Sequence, residues 1–230
     1  MIYSKGFVVM KNFGIAALGA MMLLPATTSA QEISGNVSLG SEYVYRGIGQ
    51  TDGMPTIQGG FDFTQDIFYA GVWASNVEFG DGTSIETDFY AGFTPSVGGF
   101  DLDIGALYYG YPDSPDAGGE QDFLEVYAGI GRSYDVISWD AKVSYSDDFY
   151  LEVGPAWYRE VGVAFQADEN LSFDARFGSS VFDDAPAGDY EDYQFGATVS
   201  GFGVDWDLRW YDTTVSDSLV VVSVSMALGG

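Results

Sequence analysis

The chain has no cysteine and no histidine. Disulfides and thiolate metal sites are thereby excluded, and with them Ser-His-Asp and Cys-His nucleophile systems and the usual zinc sites. Cations are almost as scarce, with 8 Lys and Arg against 34 Asp and Glu and a formal net charge of −26. So acidic a chain offers little to a phosphate backbone, which speaks against nucleic acid as a partner. Beyond the N-terminal segment no apolar run reaches the roughly 20 residues of a spanning helix. What is abundant is glycine, 31 residues, and aromatic side chains, 17% of the chain. That mixture suits strands joined by tight turns, and it does not suit disorder, because disordered acidic chains are poor in aromatics.

The first 30 residues read as a secretory signal. Lys5 and Lys11 supply positive charge, "FGIAALGAMMLLPA" from Phe13 to Ala26 is the apolar core, and Thr28–Ala30 is a small-residue cleavage site before Gln31. Met10 offers a second possible start. Residues 31–230 then form one domain, with six cations, 34 acids and a net charge of −28. A secreted, cysteine-free chain of this kind points to a bacterial envelope.

The mature region alternates with period two almost throughout. In "ISWDAKVSYS" (137–146) Ile137, Trp139, Ala141, Val143 and Tyr145 oppose Ser138, Asp140, Lys142, Ser144 and Ser146. In "VDWDLRWYD" Val204, Trp206, Leu208 and Trp210 oppose Asp205, Asp207, Arg209 and Tyr211. A helix would scatter these charges around its circumference. Twelve such segments are expected: 33–46, 54–63, 67–76, 85–93, 100–109, 121–131, 137–146, 156–165, 171–179, 190–200, 203–211 and 219–228. Most are about 10 residues, the length of a tilted membrane-crossing strand. The connections after odd segments are long and mostly acidic, and those after even segments are shorter. The fold class expected is all-β: a closed, antiparallel, up-and-down transmembrane β-barrel of 12 strands, with short turns inside and long loops outside.

In such a barrel the apolar face meets lipid and the polar face lines the lumen. With Gln31 on the periplasmic side, Trp139 falls near the inner interface. Tyr43, Tyr45, Tyr108, Tyr145, Trp157 and Trp210 fall near the outer one, as an aromatic girdle. Trp73 lies in a segment with two apolar faces and can point either way. Arg159 shares the apolar face and is expected to snorkel. The pore-lining set is Glu42, Arg46, Asp62, Glu86, Asp88, Asp101, Asp103, Glu125, Asp140, Lys142, Glu160, Asp174, Arg176, Asp205, Asp207 and Arg209. Its twelve acids and four bases should concentrate cations, and their opposition leaves a transverse field that orients a dipolar solute.

At this point several stretches are informative as a set: "SEYVYRGIGQTDG" (41–53), "QGGFDF" (58–63), "FYAGVWASNVEFG" (68–80), "DFYAGF" (88–93), "DIGALYYGYP" (103–112) and "EVYAGIG" (125–131). Over about residues 36 to 131 the chain resembles the TorF-type putative porin family of proteobacteria, and its C-terminal half matches mainly in style. The resemblance implies an outer-membrane barrel that admits small solutes. The family name suggests trimethylamine N-oxide uptake, without a substrate to carry over. One departure is the ending "SVSMALGG", which lacks the terminal aromatic residue common among outer-membrane barrels.

The function expected is a passive outer-membrane channel for small hydrophilic solutes, cation- or zwitterion-preferring. The alternative is a non-conducting structural or surface-interaction barrel, in which ion pairs fill the interior. An enzyme is not expected, since barrel enzymes of this kind depend on histidine, and no cofactor is expected. The Asp-x-Asp pairs 101/103 and 205/207 read as a solvated acidic wall rather than a calcium site. Acidic loops at 147–152 and 183–192 suit bridging by divalent cations to lipopolysaccharide phosphates. "YYGYPDSPDAGG" (108–119) is read as the longest loop, either an inward constriction or a surface turn.

Overall fold

The computed structural model describes residues 31–115, 118–183 and 188–229; the signal segment 1–30 lies outside them. Twelve long strands make the wall: β1 (Glu32–Gly40), β2 (Thr56–Gln65), β3 (Phe68–Asn76), β4 (Ile85–Phe93), β5 (Phe100–Gly110), β6 (Phe123–Tyr134), β7 (Ile137–Ser146), β8 (Ala156–Gln166), β9 (Leu171–Phe182), β10 (Tyr190–Gly201), β11 (Val204–Thr213) and β12 (Leu219–Leu228). Each pairs antiparallel with its sequence neighbours, and β12 returns to β1, with Gly35 opposite Leu228 and Gly40 opposite Ser223. The sheet is closed, so no wall strand leaves an unpaired edge. Among the described residues no helix is long and apolar enough to cross a membrane, which leaves crossing by strands open.

The period-two pattern governs which way each side chain points. Outside, Ile57, Phe61, Phe89, Ile104, Phe195 and Leu208 are each more than half exposed. Inside, Glu86, Asp88, Glu125 and Glu160 are almost fully buried. A water-soluble barrel would show the reverse. Tyr108, Trp157 and Trp210 lie on the outer face toward the long loops and Trp139 on the outer face toward the short turns, as a girdle requires.

Two-residue turns close one end at 66–67, 135–136 and 202–203, with Asp66, Asp135 and Phe202 at positive φ. The strands run a few residues further into these turns than alternation alone suggested. At the other end three loops pack on one another. Phe79, Tyr111 and Tyr150 meet at ring-centroid distances of 5.6 to 5.9 Å. Gln121 donates to Asp81 at 2.6 Å and Thr83 donates to Gln121 at 2.8 Å.

The main departure from expectation is β1. Alternation carried it to residue 46, with Tyr43 and Tyr45 facing lipid, but the strand ends at Gly40. Residues 41–55 turn into the barrel instead. There Val44–Tyr45 pairs with Ile48–Gly49 as a two-residue hairpin whose turn is Arg46 (φ 47) and Gly47 (φ 81). Two successive positive φ values are the signature of a type I′ turn, whose twist matches a hairpin. Tyr43 is 1% exposed, inside the barrel rather than in the girdle. Period-two phase continues unbroken through an inward bend, so alternation does not register it.

Candidate functional site

The interior divides into two halves along the barrel axis. The half nearer the short turns is open to solvent at Asp140 and Asp174, whose side chains are 41% and 30% exposed. The half nearer the long loops is packed, because the 41–55 hairpin crosses it. Leaving β1, the hairpin reaches β6 and β8, which flank the strand opposite β1 in a ring of twelve. Arg46 Nη2 donates to both Glu125 oxygens at 2.7 Å, and its guanidinium carbon lies 4.0 Å from the Tyr158 ring centroid. Gly47 packs so tightly on Asp192 and Thr213 that a Cβ there would collide with both. The gap left between Glu42 and Val44 of the hairpin segment and the β1, β2, β11 and β12 wall is about 20 Å³, room for a water molecule.

The hairpin is held at its base as well. Glu42 accepts from the Thr51 amide at 2.7 Å, the Thr51 hydroxyl at 2.5 Å and the Gly53 amide at 2.5 Å. Tyr43 donates to Glu86 at 2.8 Å and packs on Trp73 with ring centroids 5.4 Å apart. Tyr111 donates to the other Glu86 oxygen at 3.0 Å. Trp73 therefore faces the interior.

The remaining expected residues fall on the inner face. Asp62 accepts from Tyr90 at 2.5 Å and Asp103 from Tyr69 at 2.7 Å, with the Tyr69 hydroxyl also meeting that of Tyr127. Lys142 pairs with Glu160 at 2.9 Å, and Arg176 bridges Glu160 at 3.0 Å and Asp140 at 2.8 Å. Arg209 holds Asp174 through both terminal nitrogens at 2.5 and 2.8 Å and reaches Asp207 at 3.1 Å. Asp101 accepts from Ser96 at 2.6 Å and Asp205 from Ser200 at 2.5 Å, both near the turn end. Glu42 and Arg46 are brought inside by the hairpin rather than by a wall strand. They are not partners of one another: Arg46 pairs with Glu125 and Glu42 with Thr51. Asp88 is 0% exposed, and neither of its carboxylate oxygens has a hydrogen-bond partner. No group of three or more metal-type ligands forms among the described residues.

The charges are unevenly spread. Lys142, Arg176 and Arg209 stand on β7, β9 and β11, each neutralised by a neighbouring carboxylate. Across the lumen, β2, β4 and β5 carry Asp62, Glu86, Asp88 and Asp103 among tyrosines. The field therefore runs from an ion-paired wall to a net-negative one.

Two features of the site escaped sequence reasoning. Asp192 faces inward and is 2% exposed, accepting from Tyr158 at 3.2 Å; it adds a thirteenth carboxylate. It is in phase with Gln194 and Gly196, but the acidic stretch before it read as loop. The inward tyrosines 69, 90, 127 and 158 were also missed, since aromatics in a membrane barrel suggest the girdle. Their signal is glycine. Gly71 lies against Tyr90, Gly92 against Tyr69, Gly105 against Tyr127, Gly178 against Tyr158, and Gly196 against Arg209. Each inward glycine gives the room in which a large inward side chain of a neighbouring strand lies flat on the wall. The 108–119 loop contributes Tyr111 to the interior, but the segment that crosses the barrel is 41–55, the longer of the two.

A closed ring of 12 next-neighbour antiparallel strands, apolar outside and charged inside, defines a porin-like β-barrel. Over residues 25–227 the chain matches Gcw_chp, described as a bacterial protein of unknown function, and it belongs to that family. Similar solved structures include the KdgM porin, at TM-score 0.59 and 6% identity, covering 86% of this chain and 98% of that one. The NanC porin aligns at TM-score 0.56 and 8% identity over 84% and 97% of the two chains. The COG4313 outer membrane channel from Pseudomonas putida F1 aligns at 0.56 and 9% over 93% and 99%. At such identities the likeness is one of fold. No curated protein matches the chain.

Proposed function

We propose that the protein is an outer-membrane channel for passive diffusion of small hydrophilic solutes that favours cations and zwitterions, exported by its 1–30 segment. The observation that carries this is the inside-out wall: a lipid-compatible exterior around a carboxylate-rich interior that is open to solvent at Asp140 and Asp174. Negative walls raise the local cation concentration and exclude anions. The TorF-type resemblance and the porin folds of KdgM and NanC support the same reading. KdgM has been seen in complex with oligogalacturonate, a polyanion; thirteen interior carboxylates against four cations disfavour such a solute here. At the outer rim the acidic loops suit divalent-cation bridging to lipopolysaccharide.

A second reading, a non-conducting barrel, is favoured by the 41–55 hairpin, which spans the loop-side half. Single-channel recording in a planar bilayer separates the two. Discrete openings with cation selectivity across a KCl gradient support the channel. Anion selectivity overturns the solute preference, and silence from folded protein overturns the channel.

A further inference from the structure

The seat of Arg46 is built like a receptor for a cation. Its floor and sides come from the barrel wall: Glu125 on β6, Tyr109 on β5, Tyr158 on β8 and Asp192 on β10, all less than 9% exposed. Glu125 offers both oxygens at 2.7 Å, Tyr158 offers a ring face at 4.0 Å, and Tyr109 steadies Glu125 with a hydrogen bond of 3.3 Å. A carboxylate opposed to an aromatic face is a general solution for binding guanidinium and alkylammonium groups. All four are carried by wall strands rather than by the hairpin, although Tyr109 also meets the Tyr45 hydroxyl at 3.4 Å.

The seat also holds more acid than Arg46 answers. Asp192 Oδ2 is buried without a partner, and Asp88, near Glu86 and across β5 from Glu125, has two such oxygens. A buried carboxylate without a donor is unfavourable by several kcal/mol in general, on the order of an unpaired ion. The side chain that fills the seat is delivered strainedly. A non-glycine residue at φ 47 in the first turn position is uncommon, and Asn, Asp or Gly is the usual choice.

We infer that Glu125, Tyr109, Tyr158 and Asp192 form an organic-cation site that Arg46 occupies as a tethered ligand. Resting on the channel reading, a solute carrying a guanidinium or primary ammonium group competes with Arg46 for this seat during passage, and its occupancy releases the hairpin. The solute class is thereby narrowed from cations in general to organic cations small enough for a guanidinium-sized seat.

Removing the tether tests this. In planar bilayers, Arg46→Ala should raise single-channel conductance in KCl severalfold over the unsubstituted protein. Methylguanidinium chloride should then interrupt the Arg46→Ala current in a concentration-dependent way. The interruption should weaken at least tenfold when Glu125→Gln is added. NaCl of equal ionic strength should not reproduce it. Folding is checked by heat-modifiable mobility on gels, and Arg46→Gln carries the same test should the alanine variant not fold. An Arg46→Ala channel that methylguanidinium interrupts no more than NaCl does, or equally with and without Glu125→Gln, overturns the organic-cation site and leaves the channel standing. Folded protein silent both with and without Arg46→Ala overturns the channel itself.

Discussion

At the scale of single residues, the inner wall depends on where side chains are missing. Gly196 is the space in which the Arg209 guanidinium lies while it grips Asp174. Gly196→Val should therefore push the guanidinium aside and cost about 1–3 kcal/mol as an overpacked substitution. Gly201→Ala, with nothing near its Cβ position, should stay within about 0.5 kcal/mol. Urea midpoints of the two variants, folded into lipid vesicles, check the difference. The outer wall answers to another rule. Leu208 lies mid-strand between Ala197 and Val222 and is 54% exposed. Leu208→Arg should lower stability in vesicles by roughly 2–4 kcal/mol, as a charge facing the middle of a bilayer does. That Asp140, Lys142, Arg176 and Arg209 share the inner phase of their strands was legible from alternation. Their partners were not. Arg176 meets Asp140 across an intervening strand, a separation set by strand stagger that no local pattern encodes.

At the scale of elements, the loop-side cap is pinned by two aspartates. Asp81 accepts from the Thr83 amide at 2.9 Å and from Gln121, and Asp113 accepts from the Ser84 hydroxyl and amide. These hydrogen bonds hold both carboxyls below the usual carboxylate range. A depressed folded-state pKa means the contribution is complete above the unfolded value near 4 and fades as pH falls through the folded one. The 77–84 loop should stay docked on Asp113 and Gln121 from neutral pH to about pH 4 and loosen below it. Amide hydrogen exchange at Thr83, Ser84 and Ile85, compared at pH 5 and pH 2.5 after correction for intrinsic rates, measures this; Asp81→Asn with Asp113→Asn should remove the difference. Most of the twelve strands were legible because they alternate over about their whole length, and β3, apolar on both faces, was legible from its length and flanking turns. The hairpin was not. "SEYVYRG" keeps the phase of β1, and only the Arg46-Gly47 pair marks the turn.

At the scale of the whole molecule, the surplus of interior carboxylates should make the reversal potential across a KCl gradient cation-selective. The selectivity should decline as salt rises from about 0.1 M to 1 M, because the Debye length shrinks from about 10 Å to 3 Å. Salt-independent or anion selectivity contradicts the interior charge. The closed barrel and its inside-out character were legible in the alternation of long and short connections. The division of the lumen into a half open to solvent and a packed half was not. It comes from contacts such as Arg46 with Glu125, 79 residues apart.

That separation also orders assembly in time. The hairpin emerges directly after the first strand, yet its seat is built from β5, β6, β8 and β10. Its base can meet Trp73 and Glu86 on β3 and β4 early, but Arg46 has nothing to grip until β5 to β10 have curved around to face it. The tip of the plug should therefore engage late although it is almost the first part to be synthesised.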